Sequence, residues 1–131
     1  MPAYLHKVTC KIALYNPDKT EVLLVEYGQN DFGLPGGHLE QFETPQEAMM
    51  RELSEELGVT RVDNLVSAEF WQHPNGKIIL GFTATLSELT EVVIDTRELR
   101  SARKTKVADI ESGAISAGTY DGFIIKHATL D

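Results

Sequence analysis

Three carboxylates, Glu52, Glu55 and Glu56, fall within one short stretch, with Arg51 directly before them and Glu43 and Gly37 upstream. At about 100° per residue, Glu56 lies about 40° to one side of Glu52 and Glu55 about 60° to the other. A helix here therefore carries all three on one side. Like charges at that spacing destabilise a helix by a few tenths of a kcal/mol each, and Arg51 is the only base between Thr44 and Val59. A solvated acidic face is the ordinary account of such a pattern. The scarcity of interleaved bases favours a hard dication held by carboxylate oxygens, as Mg²⁺ is, with water and substrate phosphate completing its shell.

The segment that must position these groups is well marked. Thr44-Pro45-Gln46-Glu47 is a capping box with Pro at the first helical position. Gly58 stands where a left-handed residue closes a helix. The helix is expected from about Pro45 to Leu57. Met49, Met50, Leu53 and Leu57 form its core-facing stripe, and Ala48, one turn before Glu52, is small enough to leave the carboxylate face open.

With those residues placed, Gly37–Val59 resembles the Nudix box, G-x5-E-x7-R-E-U-x-E-E-x-G-U, where U is bulky and aliphatic. Gly37, Glu43, Arg51, Glu52, Leu53, Glu55, Glu56, Gly58 and Val59 each fill their slot. At average residue usage the chance of this in a chain of such length is about 10⁻⁸. Phe32-Gly33-Leu34-Pro35-Gly36-Gly37 is similar to the family's lead-in to the box. Glu98-Leu99-Arg100-Ser101-Ala102-Arg103-Lys104 resembles a later stretch, E-U-x-x-A-R-W, with Lys104 in place of the Trp. That stretch and Gly81-Phe82 also resemble NADH pyrophosphatases of the family. Their Pro-rich run is not matched by Phe70-Trp71-Gln72-His73-Pro74, and there is no zinc-binding cysteine cluster.

The resemblance implies an α/β fold, an α/β/α sandwich with a mixed sheet, as a single domain over residues 1–131. It implies hydrolysis of the pyrophosphate bond in a nucleoside diphosphate linked to another moiety, by water attack on phosphorus, with Mg²⁺ or Mn²⁺ as cofactor. The implied metal ligands are Gly37 through its carbonyl, Glu52, Glu55 and Glu56. The implied catalytic set is Glu52, Glu55, Arg51 and Glu98, with Glu55 a ligand or a base and Glu111 a second choice for the place of Glu98. Arg51 is expected to pair with Glu43 and brace the loop, since an Arg–carboxylate pair is directional. Phe32 either stacks on a base or packs in the core, and His38 faces either the site or solvent. The implied partner is a small nucleotide-type substrate, and a homodimer is compatible with the family. A catalytically silent nucleotide-binding module on the same fold is the alternative. A DNA-binding regulator lacks the spare length, and isomerase chemistry on this fold needs an active-site Cys, whereas Cys10 lies in the first strand.

Composition agrees. At 131 residues and 42% hydrophobic, the chain suits one domain with a sizeable core. A net charge of −8 argues against tracking a nucleic-acid polymer, which needs a basic face. The single cysteine, Cys10, reads as a small core residue. No long apolar run suggests a signal peptide or membrane span, so the cytoplasm is the default location. Val8–Tyr15 and Glu21–Tyr27 read as strands around an Asn16-Pro17-Asp18 turn. Val59–Phe70 contains a further strand, Ile78–Leu86 another after the Asn75-Gly76 turn, and Glu91–Ile94 a short one. Glu98–Lys106 is ambiguous, Val107–Ser112 reads as a short helix and Ala117–Ala128 as a long one. Trp71, Tyr120 and Phe123 read as core, with the lining of the pocket by one of them as the alternative; His6, His73 and His127 read as surface or turn residues; and Lys104 and Lys106 read as a solvated charge run, with contact to substrate phosphate as the alternative.

Overall fold

In the computed structural model, which describes residues 6–89 and 92–129, the two central strands are apolar on both faces. They are β1, Val8–Tyr15, and β2, Glu21–Gly28. Strands of that kind need a layer on each side. Cys10, Ile12 and Leu14 of β1 and Leu23 and Val25 of β2 face helix α1, Pro45–Leu57, which contributes Met49, Leu53 and Leu57. Ala13 and Tyr15 with Val22 and Leu24 face the opposite layer, helices α2, Val107–Glu111, and α3, Asp121–Thr129. The expected α/β/α sandwich is thus observed, and Cys10 is fully buried in its core.

The sheet is mixed and seven-stranded. One edge of β1 runs parallel to β6, Ile78–Thr85, along its whole length, and β5, Asp63–Gln72, pairs antiparallel outside β6. The other edge of β1 is shared. It meets β2 at Tyr15 and Val22, then the two strands diverge, and β4, Gly36–His38, takes the vacated edge opposite Thr9, Cys10 and Lys11. β2 pairs in turn with β3, Asp31–Gly33, and with β7, Ser101–Lys106. The divergence sets Gly36 and Gly37 in mid-sheet beneath α1.

Helix α1 has the bounds its caps imply. Thr44 Oγ1 accepts the Glu47 N–H, Glu47 Oε1 accepts the Thr44 N–H, and Gly58 closes the helix at φ 66°. Other elements differ from expectation for local reasons. Val59 is drawn under the helix end, its N–H on the Leu53 carbonyl, so β5 begins only at Asp63. Residues 92–94 form no strand, and Glu91 lies outside the described residues. The ambiguous stretch is a turn through Glu98 followed by β7. The long C-terminal helix is instead a 3₁₀ turn, Gly118–Tyr120, and α3. Gly118 sits at φ 67°, a left-handed conformation that interrupts a helix, and the Asp121 carboxylate accepts the Ala117 N–H and Ser116 hydroxyl there. His127 is not a surface residue: its side chain is largely buried, with its ring 4.5 Å from that of Phe123. Among the described residues no helix is long and apolar enough to cross a membrane.

The reciprocal cap on α1 predicts that Thr44→Ala lowers stability by about 1 kcal/mol. Urea unfolding should show a lower midpoint with an unchanged slope. A midpoint equal to that of the parent protein would mean that packing alone sets the helix start.

Candidate active site

Arg51 ties the loop before α1 to the helix. Its Nε and Nη2 donate to the two oxygens of Glu43 at 2.8 and 2.9 Å, its Nη1 to Glu52 Oε1 at 2.9 Å, and its Nη2 also to the His38 carbonyl at 3.0 Å. Glu43 further accepts the Glu40 N–H at 2.9 Å. The Arg51 guanidinium, with that N–H, holds the Glu43 carboxyl down at about 2. The expected Arg51–Glu43 pair is therefore present, and the same cation orients Glu52.

Glu56 is only 2% exposed, and its Oε1 accepts the Gly36 N–H at 3.0 Å. That contact requires glycine at position 36, and the present aim of Glu52 requires it at position 37. Gly36 lies at φ 144°, where a Cβ would strike the Cys10 carbonyl, and a Cβ on Gly37 would run into the Glu52 carboxylate. Burial pushes the Glu56 carboxyl up to about 7, against the pull of the Gly36 N–H and Lys11. Burial also raises Glu52, and Arg51 only partly offsets it.

Glu98 joins these two because of how α1 ends. The last carbonyls of a helix lack partners within it. Here Glu56 O accepts the Asp95 N–H and Leu57 O the Val93 N–H, each at 2.9 Å. The turn that follows, with Glu98 and Leu99 N–H groups on the Asp95 carbonyl and Leu99 buried, sets Glu98 over the helix. One oxygen each of Glu52, Glu56 and Glu98 lies within 4.8 Å of the others. Around an ion with bonds of about 2.1 Å, oxygens stand about 3.0 Å apart when adjacent and about 4.2 Å when opposite, so small side-chain rotations suffice. An all-oxygen donor set of this kind, with one member deeply buried, fits Mg²⁺ or Mn²⁺. Glu55 is outside the group: it is half-exposed and lies 3.4 Å from Arg51 Nη1. Glu111, at the end of α2, is on the other layer.

A cleft of about 260 Å³ opens beside the carboxylates, with Gly36 and Gly37 as their common wall. His38 lines it, its Nδ1 3.3 Å from Thr9 Oγ1. Burial, then Lys77, Lys7 and Lys11, push its pKa down. Phe32 is elsewhere. It packs against the second core layer with the Arg103 guanidinium 4.7 Å from its ring centroid. Of the aromatic residues, Trp71 and Phe123 stack at 5.1 Å and fasten α3 to the sheet, while Tyr120 reaches the cleft. Lys11 also lines the cleft, and it is absent from the residues the sequence nominates. The signal was there: it is the one charge in a strand apolar on both faces.

The NUDIX domain profile matches residues 5–120. The chain belongs to the Nudix family. A Nudix-family hydrolase of Clostridium perfringens has a similar structure, with TM-score 0.74, 18% identity and coverage of 95% of this chain and 97% of that one. A NUDIX hydrolase of Nitrosomonas europaea shares 25% identity at TM-score 0.66, over 93% of this chain and 87% of that one. Among curated relatives, the RNA pyrophosphohydrolase of Photobacterium profundum is 45% identical over 47 residues, 34% of this chain. The match spans 27% of that relative's own length. The fold likeness accounts for the sandwich; the short matches to the curated relatives leave activity to be argued from this Nudix site itself.

The Arg51–Glu43 pair has a pH signature. The Glu43 carboxyl falls from its ordinary 4.5 to about 2 in the folded chain. Its ionised form therefore stabilises the fold above about pH 4.5, and that contribution is lost as pH falls through 2. Glu43→Gln should lower the melting temperature at pH 7 and flatten its decline between pH 4.5 and 2. Identical pH profiles for the two proteins would show that the pair contributes nothing.

Proposed function

We propose that this Nudix protein is a Mg²⁺- or Mn²⁺-dependent pyrophosphohydrolase acting on a nucleoside diphosphate linked to another moiety. The observation that carries the proposal is the convergence of Glu52, Glu56 and Glu98 beside the Gly36–Gly37 backbone. These three carboxylates would hold the ion, with the Gly37 carbonyl and Glu55 at its margin. When bound, the ion supplies neutralisation of the pyrophosphate charge and a more acidic water.

The remaining tasks fall to the chain itself. Arg51 keeps Glu52 aimed through its 2.9 Å hydrogen bond and is itself fixed by both oxygens of Glu43. The Gly36 N–H orients Glu56. Glu55, tied among the described residues to Arg51 alone, is the carboxylate left to accept a proton from the attacking water. His38 presents its ring to the cleft where substrate would lie. The partner is a small nucleotide-type molecule. The curated relatives are named for RNA, so a 5′-triphosphate RNA belongs in the substrate panel beside dinucleotides, nucleotide sugars and nucleoside triphosphates.

Ion-based charge stabilisation is worth several kcal/mol, and each 1.36 kcal/mol is tenfold in rate. Glu52→Gln and Glu56→Gln should each reduce turnover by about 100-fold or more, and omission of divalent metal should abolish it. Glu98→Gln should fall further than a change at exposed Glu111. Mn²⁺ should raise the melting temperature of the parent protein and not that of Glu56→Gln. Unchanged rates in both Glu52→Gln and Glu56→Gln would overturn the site. Nucleotide binding with no turnover across the panel would leave a silent binding module instead.

A further inference from the structure

Lys11 is a charge in an unfavourable place. It is the only charged residue of β1 and is partly buried. Its Nζ donates to the Tyr27 hydroxyl at 2.9 Å and the Leu34 carbonyl at 3.1 Å, and lies 4.6 Å from the Tyr27 ring centroid. An ammonium has three N–H donors, so one is uncommitted. Among the described residues, no carboxylate is within ion-pair distance of Lys11, or of Lys77 and Lys7 nearby. A partly buried cation with no carboxylate beside it is costly. Burial, with Lys77 acting in the same sense, pushes the Lys11 pKa down to about 8 against the fields of Glu56, Glu52 and Asp31. Glu56 and Glu52 are the two that an ion would neutralise.

The neighbourhood repeats the pattern. Lys11 and Lys77 both line the 260 Å³ cleft, together with His38 and His73, and among the described residues no carboxylate lines it. Lys7 lies close enough to act on His38 as well. A chain of net charge −8 thus gathers positive charge at one place, on the far side of the Gly36–Gly37 wall from its acidic group. Ammonium groups recognise an oxyanion through charge-assisted hydrogen bonds. A base or sugar, which carries no net charge, would leave both cations unbalanced.

We propose that this cleft is the seat of a free phosphate group of the substrate, the open end of a nucleoside triphosphate or similar polyphosphate chain, with Lys11 and Lys77 as its anchors. The proposal rests on the pyrophosphohydrolase reading for its place in a reaction. It selects substrates with an uncapped phosphate over diphosphates capped at both ends.

The probe is methylenediphosphonate, whose P–C–P bridge the reaction cannot cut, titrated calorimetrically into the full-length chain with Mg²⁺ present. A charge-assisted contact is worth enough to expect that Lys11→Met weakens binding about tenfold or more. Lys77→Met should weaken it several-fold, and Lys104→Met, on β7, should leave it unchanged. Met conserves the volume of Lys11. If Lys11→Met nonetheless fails to fold or loses Mn²⁺ binding, Lys77→Met, on an exposed hairpin, decides. In turnover, Lys11→Met should raise KM for nucleoside triphosphates far more than for ADP-ribose or a nucleotide sugar. Parent-like affinity in both cleft variants, no binding by the parent protein at millimolar probe, or equal losses on capped and uncapped substrates would each overturn the proposal. A protein that binds the diphosphonate through Lys11 and Lys77 yet hydrolyses nothing would retain the cleft and lose the pyrophosphohydrolase reading.

Discussion

The structure turns on a single hydrogen bond, from the Gly36 N–H to a Glu56 carboxylate that is almost wholly buried. A helix can bury a carboxylate only where a donor meets it, and the donor here is backbone in the middle of a sheet. For that backbone to be available, β2 must leave the edge of β1 after Tyr15 and Val22 so that β4 can occupy it. For it to come close, residue 36 must lack a side chain, and a Cβ at residue 37 would push the Glu52 carboxylate from its place. The glycine pair, the split sheet and the buried acid are thus one constraint, and the sandwich packing of α1 through Met49, Leu53 and Leu57 holds it closed.

Around that bond the charges sort by how completely they are satisfied. Arg51 is surrounded by Glu43, Glu52, Glu55 and the His38 carbonyl, so it has little capacity left for a substrate and acts as a fixture. Its directional fork explains why Glu43, eight residues earlier in sequence, belongs to the same unit as the helix. Glu52, Glu56 and Glu98 are the opposite case: burial raises the first two, and the third adds more negative charge at short range. Such a group is under-satisfied in proportion to the ion it is suited to hold.

What was legible in the sequence follows how local each determinant is. The helix bounds depend on Thr44, Glu47 and Gly58, all within or beside the helix, and they were read to the residue. The Arg51–Glu43 contact needed only the helix and the loop before it. Glu98 was nominated by motif, but its position depends on Val93 and Asp95 capping carbonyls of α1 across a large sequence gap, which no periodicity encodes. Residues 92–94 form no strand for the same reason: the Val93 amide serves the helix end. Phe32 could not be assigned from its slot, because only the packing of β3 beneath Arg103 decides it. Gly118 misled the reading of the last helix, since one left-handed residue outweighs a favourable apolar pattern on either side.

Lys11 shows a different kind of omission. An apolar strand interrupted by one base looks like tolerated noise when strands are sought by their hydrophobic residues. The same residue is informative when strands are searched for what does not belong. β1 is covered on both faces, so its one charge reaches solvent only through the cleft that it lines. Its hydrogen bonds to Tyr27 and Leu34 satisfy geometry without neutralising charge. A cation kept in that condition beside a cleft that contains Lys77 and, among the described residues, no carboxylate has a physical use only when an anion arrives. The acidic group and the basic cleft, separated by two glycines, therefore make sense as halves of one binding surface, one suited to the ion and the other to the phosphate the ion alone would leave exposed.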